Sequence, residues 1–504
     1  MWEYFLLKSH LQNLQIRENF MAKIVIVGGG VSGLSAGIYA RLHGHEAIVC
    51  ERHTVAGGNL TSWDRNGYHI DNCIHWLTGT NPNSSTYKTW EDLGVLGDIE
   101  VFQGESLFTC EHEGQTLSLS RDLYRLRDDM IALSPDDEKE ILALIRAVEV
   151  FQGFCGIGGK NHDEGVKLGK TLRAIPAMVR YYSITTGELS ARFTHPLLRF
   201  FFSAFWGEDF GAFSLVFVFA HYCGDNGGIP KGGSFEMAKR LTQRFQDLGG
   251  TLLLGSEVIK INHKDGKANS VTLASGEETQ ADYVIITGDP TRAFGNYLDA
   301  PMPKKLQKLY NDPKMRRFSS YHCAISCDSA SLPFEGDYIF EVPEEYKKLL
   351  NTKQLIIREF SHESGYAPEG KNIIQSLTYA YEEDATEFIE LKKQSREDYK
   401  NKKKELSAAI IKLIENHFPE LCGKLSCIDV WTPATYRRYT DTEVGSWMSF
   451  ALPSKKLPLR ISNRIDGFSN VILATQWQQS PGGLPIAADG GKFAIETINK
   501  KEKR

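Results

Sequence analysis

The sequence predicts an α/β fold that opens with a strand, a glycine-rich turn, a helix and a second strand, the first unit of a Rossmann-like domain. An apolar run at residues 23–27 precedes the glycine-rich segment 28–33, and apolar residues at helical spacing continue through 34–42. A second apolar run, 47–50, ends at Glu51. A glycine turn between a strand and a helix, with an acid about 20 residues further on, is typical of a dinucleotide-binding unit.

The glycines of this turn have different expected roles. Gly28 allows the tight turn after the strand, Gly30 lets the backbone approach a pyrophosphate, and Gly33 lets the helix pack closely on the sheet. The phosphates would then meet the N-terminus of the helix, where Val31 and Ser32 lie.

Glu51, at the end of the second strand, is placed to accept hydrogen bonds from a ribose diol. A carboxylate at this position also disfavours a 2′-phosphate, so the pattern favours a cofactor without one. An ordinary structural turn is the alternative, and it accounts for the glycines but leaves this acid unexplained.

Chain length and composition limit the class of protein. With 504 residues the chain can form two or more compact units. The net charge of −5, from 63 acidic and 58 basic residues, does not favour nucleic acid as a partner. Nine cysteines, an odd number without metal-ligand spacing, indicate reduced thiols in the cytoplasm and no metal site.

Two segments raise the question of a membrane contact, although no apolar run approaches the ~20 residues that cross a bilayer. Residues 1–20 are an N-terminal extension, interpreted either as an upstream addition before Met21 or as a short amphipathic helix on a membrane or partner. The segment around Ile175 and Val179 could enter a headgroup region or form an ordinary amphipathic helix. The expected location is cytoplasmic, with peripheral attachment to a membrane as the open alternative.

The dinucleotide-binding unit is interrupted twice. Residues 21–105, 228–290 and 465–504 carry the strand, turn and helix patterns of one discontinuous domain. Residues 106–227 and 291–464 are two insertions, and together they are assigned to a substrate-binding domain. In the first domain the later predicted elements are a hairpin through Asp265-Gly266, a buried strand at 282–286, a strand at 470–474 and a helix at 484–499.

The first insertion contains a belt of aromatic residues. It comprises Phe200, Phe201, Phe202, Phe205, Trp206, Phe210, Phe213, Phe217 and Phe219. Such rings either line a pocket for a long apolar substrate or pack in a core. Glu208, Asp209 and Asp225 interrupt the belt and could move a proton, although a solvated loop is their expected location.

These pieces in this order resemble the flavin-dependent phytoene desaturase, carotenoid isomerase and retinol saturase family, within the flavoprotein group that includes the flavin amine oxidases. The likeness covers nearly the whole chain after Met21. Beside the first nucleotide-binding unit, its most specific pieces are Gly57-Gly58, Pro230-Lys231-Gly232-Gly233-Ser234 with Leu248-Gly249-Gly250, and Gln476-Trp477 with Pro481-Gly482-Gly483. The resemblance implies a Rossmann-like FAD-binding domain of the GR2 or amine oxidase type, with an α+β substrate domain formed by the two insertions.

The resemblance also implies noncovalent FAD. The Glu257-Val258 segment would meet the adenine through its backbone, and the Pro481-Gly482-Gly483 turn would place a helix N-terminus at the flavin pyrimidine edge. The residues expected to contact FAD are Gly28, Gly30, Val31, Ser32, Gly33, Glu51, Arg52, Gly57, Gly58, Asn59, Val258, Gln476, Gly482, Gly483 and Leu484.

The activity implied by the resemblance is oxidation or reduction of carbon–carbon bonds in a carotenoid, isoprenoid or other long apolar lipid. Desaturation, saturation and redox-assisted isomerisation all use hydride transfer at flavin N5, with a quinone or oxygen as the electron carrier. A flavin amine oxidase is one alternative, and it would release hydrogen peroxide and use an aromatic cage to which Trp477 could belong. A non-catalytic FAD-binding protein is the other, and the sequence assigns no catalytic residue.

Overall fold

The computed structural model describes residues 21–154, 168–456 and 460–502. The predicted N-terminal extension, 1–20, lies outside them.

The strands in chain order are β1 (Lys23–Val27), β2 (Glu46–Cys50), β3 (Ser62–Arg65), β4 (Tyr68–Asp71), β5 (Leu77–Thr78), β6 (Val101–Phe102), β7 (Ser106–His112), β8 (Gln115–Ser120), β9 (Gly227–Pro230), β10 (Thr251–Leu253), β11 (Val258–Lys264), β12 (Lys267–Leu273), β13 (Glu278–Gln280), β14 (Tyr283–Ile286), β15 (Phe318–Cys327), β16 (Asp337–Glu341), β17 (Gln354–Glu359), β18 (Asn372–Tyr381), β19 (Leu425–Trp431) and β20 (Val471–Leu473).

The α-helices are α1 (Val31–Leu42), α2 (Ser85–Asp92), α3 (Leu123–Leu133), α4 (Glu138–Phe154), α5 (Leu168–Tyr182), α6 (Thr186–Ser190), α7 (Pro196–Ala204), α8 (Ala212–Tyr222), α9 (Gly233–Asp247), α10 (Pro290–Ala293), α11 (Lys304–Tyr310), α12 (Glu344–Leu350), α13 (Glu382–Gln394), α14 (Arg396–His417), α15 (Pro433–Thr440) and α16 (Leu484–Glu502). Short 3-10 turns occur at Pro135–Asp137, Pro419–Leu421 and Gln476–Gln478.

A parallel sheet in the order β10-β2-β1-β14-β20 forms the nucleotide-binding layer. Its apolar strands are buried because α1, α9 and α16 cover one face of the sheet and the β11-β12 hairpin packs on the other. The last helix, α16, packs directly on α1, and a side chain at Gly491 would come within 2.5 Å of the Ala36 nitrogen. The first, middle and last parts of the chain therefore meet in one layer, and the predicted α/β fold is confirmed.

The second layer is a seven-stranded sheet in the order β19-β15-β18-β17-β16-β7-β8. Neighbouring strands are antiparallel except β16 and β7, which pair in parallel and join the two insertions. Side chains alternate along its strands, so that Ile356 packs with α7 and α8 on one face while Ile357 packs with α13 and α14 on the other. Both segments assigned to the substrate domain thus contribute to one sheet, while the proposed domain boundaries stay a prediction.

Smaller sheets accompany these layers: β3-β4, β5-β9-β6 and β11-β12-β13. The predicted hairpin lies between β11 and β12, and its turn residues Asp265 and Gly266 have φ values of 50° and 72°. Two successive positive φ angles suit the right-handed twist of a hairpin, which explains the Asp-Gly pair.

The predicted amphipathic segment is part of α5, where Ile175 and Val179 are 46% and 65% exposed. Within the described ranges, no helix combines the length and apolar character needed to cross a membrane.

Candidate active site

A cavity of about 610 Å³ lies between the two layers. Part of its wall follows the carboxyl ends of the parallel strands, at Gly28 after β1, Glu51 after β2 and Thr287 after β14. Ligands bind at this edge of open α/β sheets, because the loops and helix N-termini there leave a crevice. The opposite part of the wall comes from the two insertions.

The glycine-rich turn has the geometry that its sequence predicts. Gly28 has a φ of 104°, and its nitrogen donates to the Cys50 carbonyl at 2.9 Å, which fixes the turn. A Cβ at Gly33 would lie 1.9 Å from the Gly28 carbonyl oxygen, so this position must be glycine for the helix to pack. A Cβ at Gly30 would meet nothing closer than 3.9 Å and would point at the cavity wall beside Gly57.

Glu51 is buried and takes part in the same turn. Its Oε2 accepts a hydrogen bond from the Gly29 nitrogen at 2.7 Å, and its Oε1 accepts from the His53 nitrogen at 2.8 Å. A carboxylate has about four acceptor sites, so these bonds leave capacity for a ribose hydroxyl. The structure therefore adds a second role for this acid, which is to fix the loop that it follows.

Arg52 and Asn59 are directed toward the 430–450 segment. The Arg52 guanidinium donates to the Arg438 and Tyr439 carbonyls at 2.6 and 3.0 Å, and Asn59 Nδ2 donates to the Trp447 carbonyl at 3.3 Å. Their side chains thus connect the cavity wall to the second insertion.

The C-terminal turn closes the cavity at the start of α16. Gln476 Oε1 accepts a hydrogen bond from the Gly483 nitrogen at 2.8 Å, which holds the turn against the 3-10 segment. Gly482 and Gly483 have φ values of 84° and 93°, and a Cβ at Gly482 would lie 2.8 Å from Gln476 Oε1. Leu484 then begins the helix, so its N-terminus faces the cavity.

The structure brings most of the predicted FAD-contact residues to this one cavity. Those that line it are Gly28, Gly30, Val31, Ser32, Glu51, Arg52, Gly57, Gly58, Asn59, Val258, Gln476, Gly482, Gly483 and Leu484. Gly33 packs behind the turn instead, and the Ser32 hydroxyl donates to the Ala474 carbonyl, which joins α1 to the end of β20. Individual FAD contacts at these positions stay a prediction.

The aromatic belt divides between core and cavity. Phe201, Phe202 and Phe219 are buried in the core behind the seven-stranded sheet. Phe205, Trp206, Phe213 and Phe217 line the cavity instead, opposite Ile356, Leu377 and Tyr379 of the sheet. This mostly apolar half of the cavity is called the aromatic chamber below.

A buried ion pair holds a histidine at the cavity wall. Arg358 contacts both carboxylate oxygens of Asp337, and it also donates to the Ile74 and His75 carbonyls at 3.1 Å. His75 Nδ1 lies 3.7 Å from Asp337 Oδ2. Burial and the Arg358 charge lower the pKa of His75, so the imidazole is neutral at pH 7. Burial by itself would raise the pKa of Asp337, but Arg358 and His75 keep it below its usual value.

Sequence reasoning missed the residues that follow β14. Thr287, Gly288 and Asp289 line the cavity, and buried Asp289 accepts hydrogen bonds from Tyr310 Oη at 2.8 Å and the Glu443 nitrogen at 3.0 Å. The signal was present, because a Thr-Gly-Asp-Pro turn directly follows a buried parallel strand next to β1. The sequence did place His75 near the expected flavin, with a packing or hydrogen-bonding role, but it could not name its partners, which come from β16 and β17.

Other candidate residues lie where the simpler interpretation placed them. Glu208, Asp209 and Asp225 are exposed, and they form ion pairs with Lys353, Arg316 and Arg121, respectively. The described residues contain no group of three or more histidine, cysteine or acidic side chains that could hold a metal ion.

The glycine-rich turn 28–33 with Glu51 is called the nucleotide cradle below. The fold and cavity together define a flavoprotein of the oxidoreductase class, since this cradle opens into a chamber for a second reactant. The residues fit FAD, because the Gly30 position leaves open space at the cradle and a helix N-terminus faces the cavity from the other side. The chain belongs to the flavin containing amine oxidoreductase family, whose model matches residues 31–401. FAD is the cofactor, and the family resemblance inferred from the sequence is confirmed.

Three relatives illustrate the similarity. The chloroplastic prolycopene isomerase of Daucus carota is 25% identical over 449 residues, which cover 84% of this chain and 71% of that protein. The 4,4′-diaponeurosporene oxygenase of Staphylococcus haemolyticus (strain JCSC1435) is 21% identical over 506 residues, covering 95% of this chain and 97% of that protein. An oxidoreductase structure from Methanosarcina mazei aligns with a TM-score of 0.60 at 17% identity, covering 94% of this chain and 100% of that one, and it supports the fold alone.

Proposed function

We propose that the protein is an FAD-dependent oxidoreductase that acts on carbon–carbon bonds of a long polyene or isoprenoid lipid. The observation that carries this proposal is the continuity of one cavity from the nucleotide cradle to the aromatic chamber. A hydrophobic chamber with few polar groups suits an apolar chain, because the transfer of apolar surface out of water is favourable. The two carotenoid-related relatives support the same class of substrate.

The bound flavin supplies a hydride acceptor or donor at N5. The chain's own residues position the substrate and handle the proton that accompanies hydride transfer. Aromatic side chains such as Phe213 and Phe217 exclude water and restrict the chain to an extended path. His75, neutral and held by Asp337, can accept or donate a proton at Nε2, and the carboxylate stabilises the imidazolium that results.

The amine oxidase alternative has weaker support from the geometry. Trp477, the candidate cage residue, is 1% exposed and stacks on Tyr310 with ring centroids 5.5 Å apart, with Phe450 packed against its edge. Trp477 is among the residues that line the cavity, but its ring is held in this packed cluster.

The test is an anaerobic mixing experiment with the FAD-loaded protein. Prolycopene, 4,4′-diaponeurosporene and a lipid extract of the host are added separately, while flavin absorbance is recorded and products are analysed by mass. Loss of two hydrogens identifies desaturation, gain of two identifies saturation by the reduced enzyme, and an unchanged mass with an altered spectrum identifies isomerisation. In a separate aerobic assay, hydrogen peroxide release with putrescine would favour an amine oxidase, and no reaction in either assay would favour the non-catalytic alternative.

A further inference from the structure

One face of helix α8 places a polar side chain, His221, in the wall of the aromatic chamber. Phe213, Ser214, Phe217, Val218 and His221 all line the cavity from α8. Their spacing places them on one face of the helix, with Ser214 and His221 about 10 Å apart along its axis. His221 therefore marks one end of an otherwise apolar stripe.

The hydrogen bonds around His221 determine its tautomer. Asn226 Oδ1 accepts a hydrogen bond from the Asn81 nitrogen at 3.0 Å, so the amide nitrogen of Asn226 is the group that faces the histidine. That nitrogen donates to His221 Nδ1 at 2.7 Å. Because Nδ1 accepts, the proton of the neutral imidazole is on Nε2.

The imidazole is also neutral. Burial lowers the pKa of His221 to about 4, and its ring lies 4.1 Å from the Phe217 ring, measured between centroids. Its Nε2–H is buried and has no hydrogen-bond partner among the residues that the structure describes. A buried donor without an acceptor is unfavourable, which is why nearly all such groups in proteins are paired.

The same chamber contains two further polar groups without a partner among the described residues. Trp206 Nε1 and Ser214 Oγ are buried and without a partner within the described ranges, and both residues line the chamber. These three groups are left for ligand atoms that the described residues do not provide. Indole and the neutral imidazole can only donate here, so a ligand atom that meets either group must be an acceptor.

We propose that the substrate is an apolar chain that bears a hydroxyl or carbonyl oxygen, and that His221 Nε2 donates a hydrogen bond to this oxygen. The inference rests on the proposed function and narrows it. A pure hydrocarbon would leave the donor unpaired, and a site that contains such a donor discriminates against the analogue that lacks the oxygen. His221 is thus a specificity-determining residue of the chamber.

The experiment measures binding to the FAD-loaded protein without turnover. The probes are a fluorescent conjugated octadecatetraenol and the matching octadecatetraene, in which the terminal CH₂OH is replaced by CH₃. We expect the alcohol to bind about tenfold more tightly than the hydrocarbon, the value of one hydrogen bond to an otherwise unpaired group. His221→Phe should remove this preference by lowering the affinity for the alcohol alone. The control Val218→Ala should lower the affinity for both probes equally.

Three results would overturn the proposal. Equal affinities of the two probes for the unaltered protein would show that the donor finds no substrate oxygen, and failure of both probes to bind would show that the chamber does not admit such chains. Loss of FAD affinity in His221→Phe would show that the acceptor belongs to the cofactor. Since none of these readouts needs turnover, they remain separate from failure of the anaerobic reaction.

Discussion

Replacement of Gly30 by alanine should separate cofactor binding from folding. Gly30 has a φ of −74°, which any residue can adopt, and its added Cβ would be 3.9 Å from the Gly57 carbonyl oxygen and 4.0 Å from the Gly58 Cα. The fold should therefore tolerate the methyl group. The methyl group would, however, occupy the side of the turn that faces the cavity, where we expect the pyrophosphate.

The size of the effect follows from the hydrogen bonds at risk. A charge-assisted bond between a backbone N–H and a phosphate contributes about 1.5–3 kcal/mol, so losing one lowers FAD affinity roughly 10- to 100-fold. The matched control is Gly33→Ala, in which the Cβ would lie 1.9 Å from the Gly28 carbonyl oxygen. This variant should lose several kcal/mol of folding free energy, because backbone atoms cannot move aside cheaply.

Both variants would be compared with the unaltered protein in two measurements. Titration of the flavin-free protein with FAD, followed by flavin fluorescence, gives the affinity, and circular dichroism during denaturation gives the free energy of unfolding. If folded Gly30→Ala bound FAD with unchanged affinity, the pyrophosphate would not lie at this turn and the reasoning would be wrong.

Three further results are expected. Glu51→Ala should lower the affinity for FAD about tenfold, since the variant loses an acceptor for the ribose. It should also lower the free energy of unfolding by about 1–3 kcal/mol, because the Gly29 and His53 nitrogens lose their acceptor. Unchanged FAD affinity in fluorescence titration would contradict the ribose role. His75→Gln should slow flavin reduction by the lipid about 100-fold or more in stopped-flow absorbance while FAD is retained, whereas a rate equal to that of the unaltered protein would exclude proton transfer at Nε2. Because the folded pKa of His221 is about 4 against 6.5 in the unfolded chain, the unfolded state binds the extra proton between these values and stability falls as pH falls through this window. His221→Phe should therefore reduce the loss of unfolding free energy between pH 7 and pH 4 by up to about 3 kcal/mol, and identical acid profiles for the two proteins would contradict the buried neutral imidazole.

Local patterns explain which parts of the fold the sequence could predict. The Gly28 turn, the Asp265-Gly266 hairpin and the helix that begins at Leu484 each depend on residues close together in the chain. Their backbone requirements are therefore visible in the sequence. The two apolar strands that flank the first helix were equally clear, because parallel strands buried on both faces are continuous apolar runs.

The remainder depends on contacts between distant residues. The parallel pairing of β16 with β7 places Ile339 beside Cys110, and nothing local in either segment specifies this register. The His75 site likewise forms only when Asp337 and Arg358 are brought to the loop before β5. Which aromatic rings line the chamber was also undetermined, since Phe201 and Phe205 lie one helical turn apart and belong to the same core cluster, yet only Phe205 also lines the cavity.

The order of strands in the parallel sheet has a consequence for biosynthesis. β1 leaves the ribosome well before its neighbour β14, and β20 follows later still. Helix α16, which packs on α1, emerges after both of these strands. A nascent chain can thus display the complete glycine motif without the layer that supports it, so flavin capture should wait until β20 and α16 have emerged. Chains terminated before these elements should remain colourless and exposed to proteases.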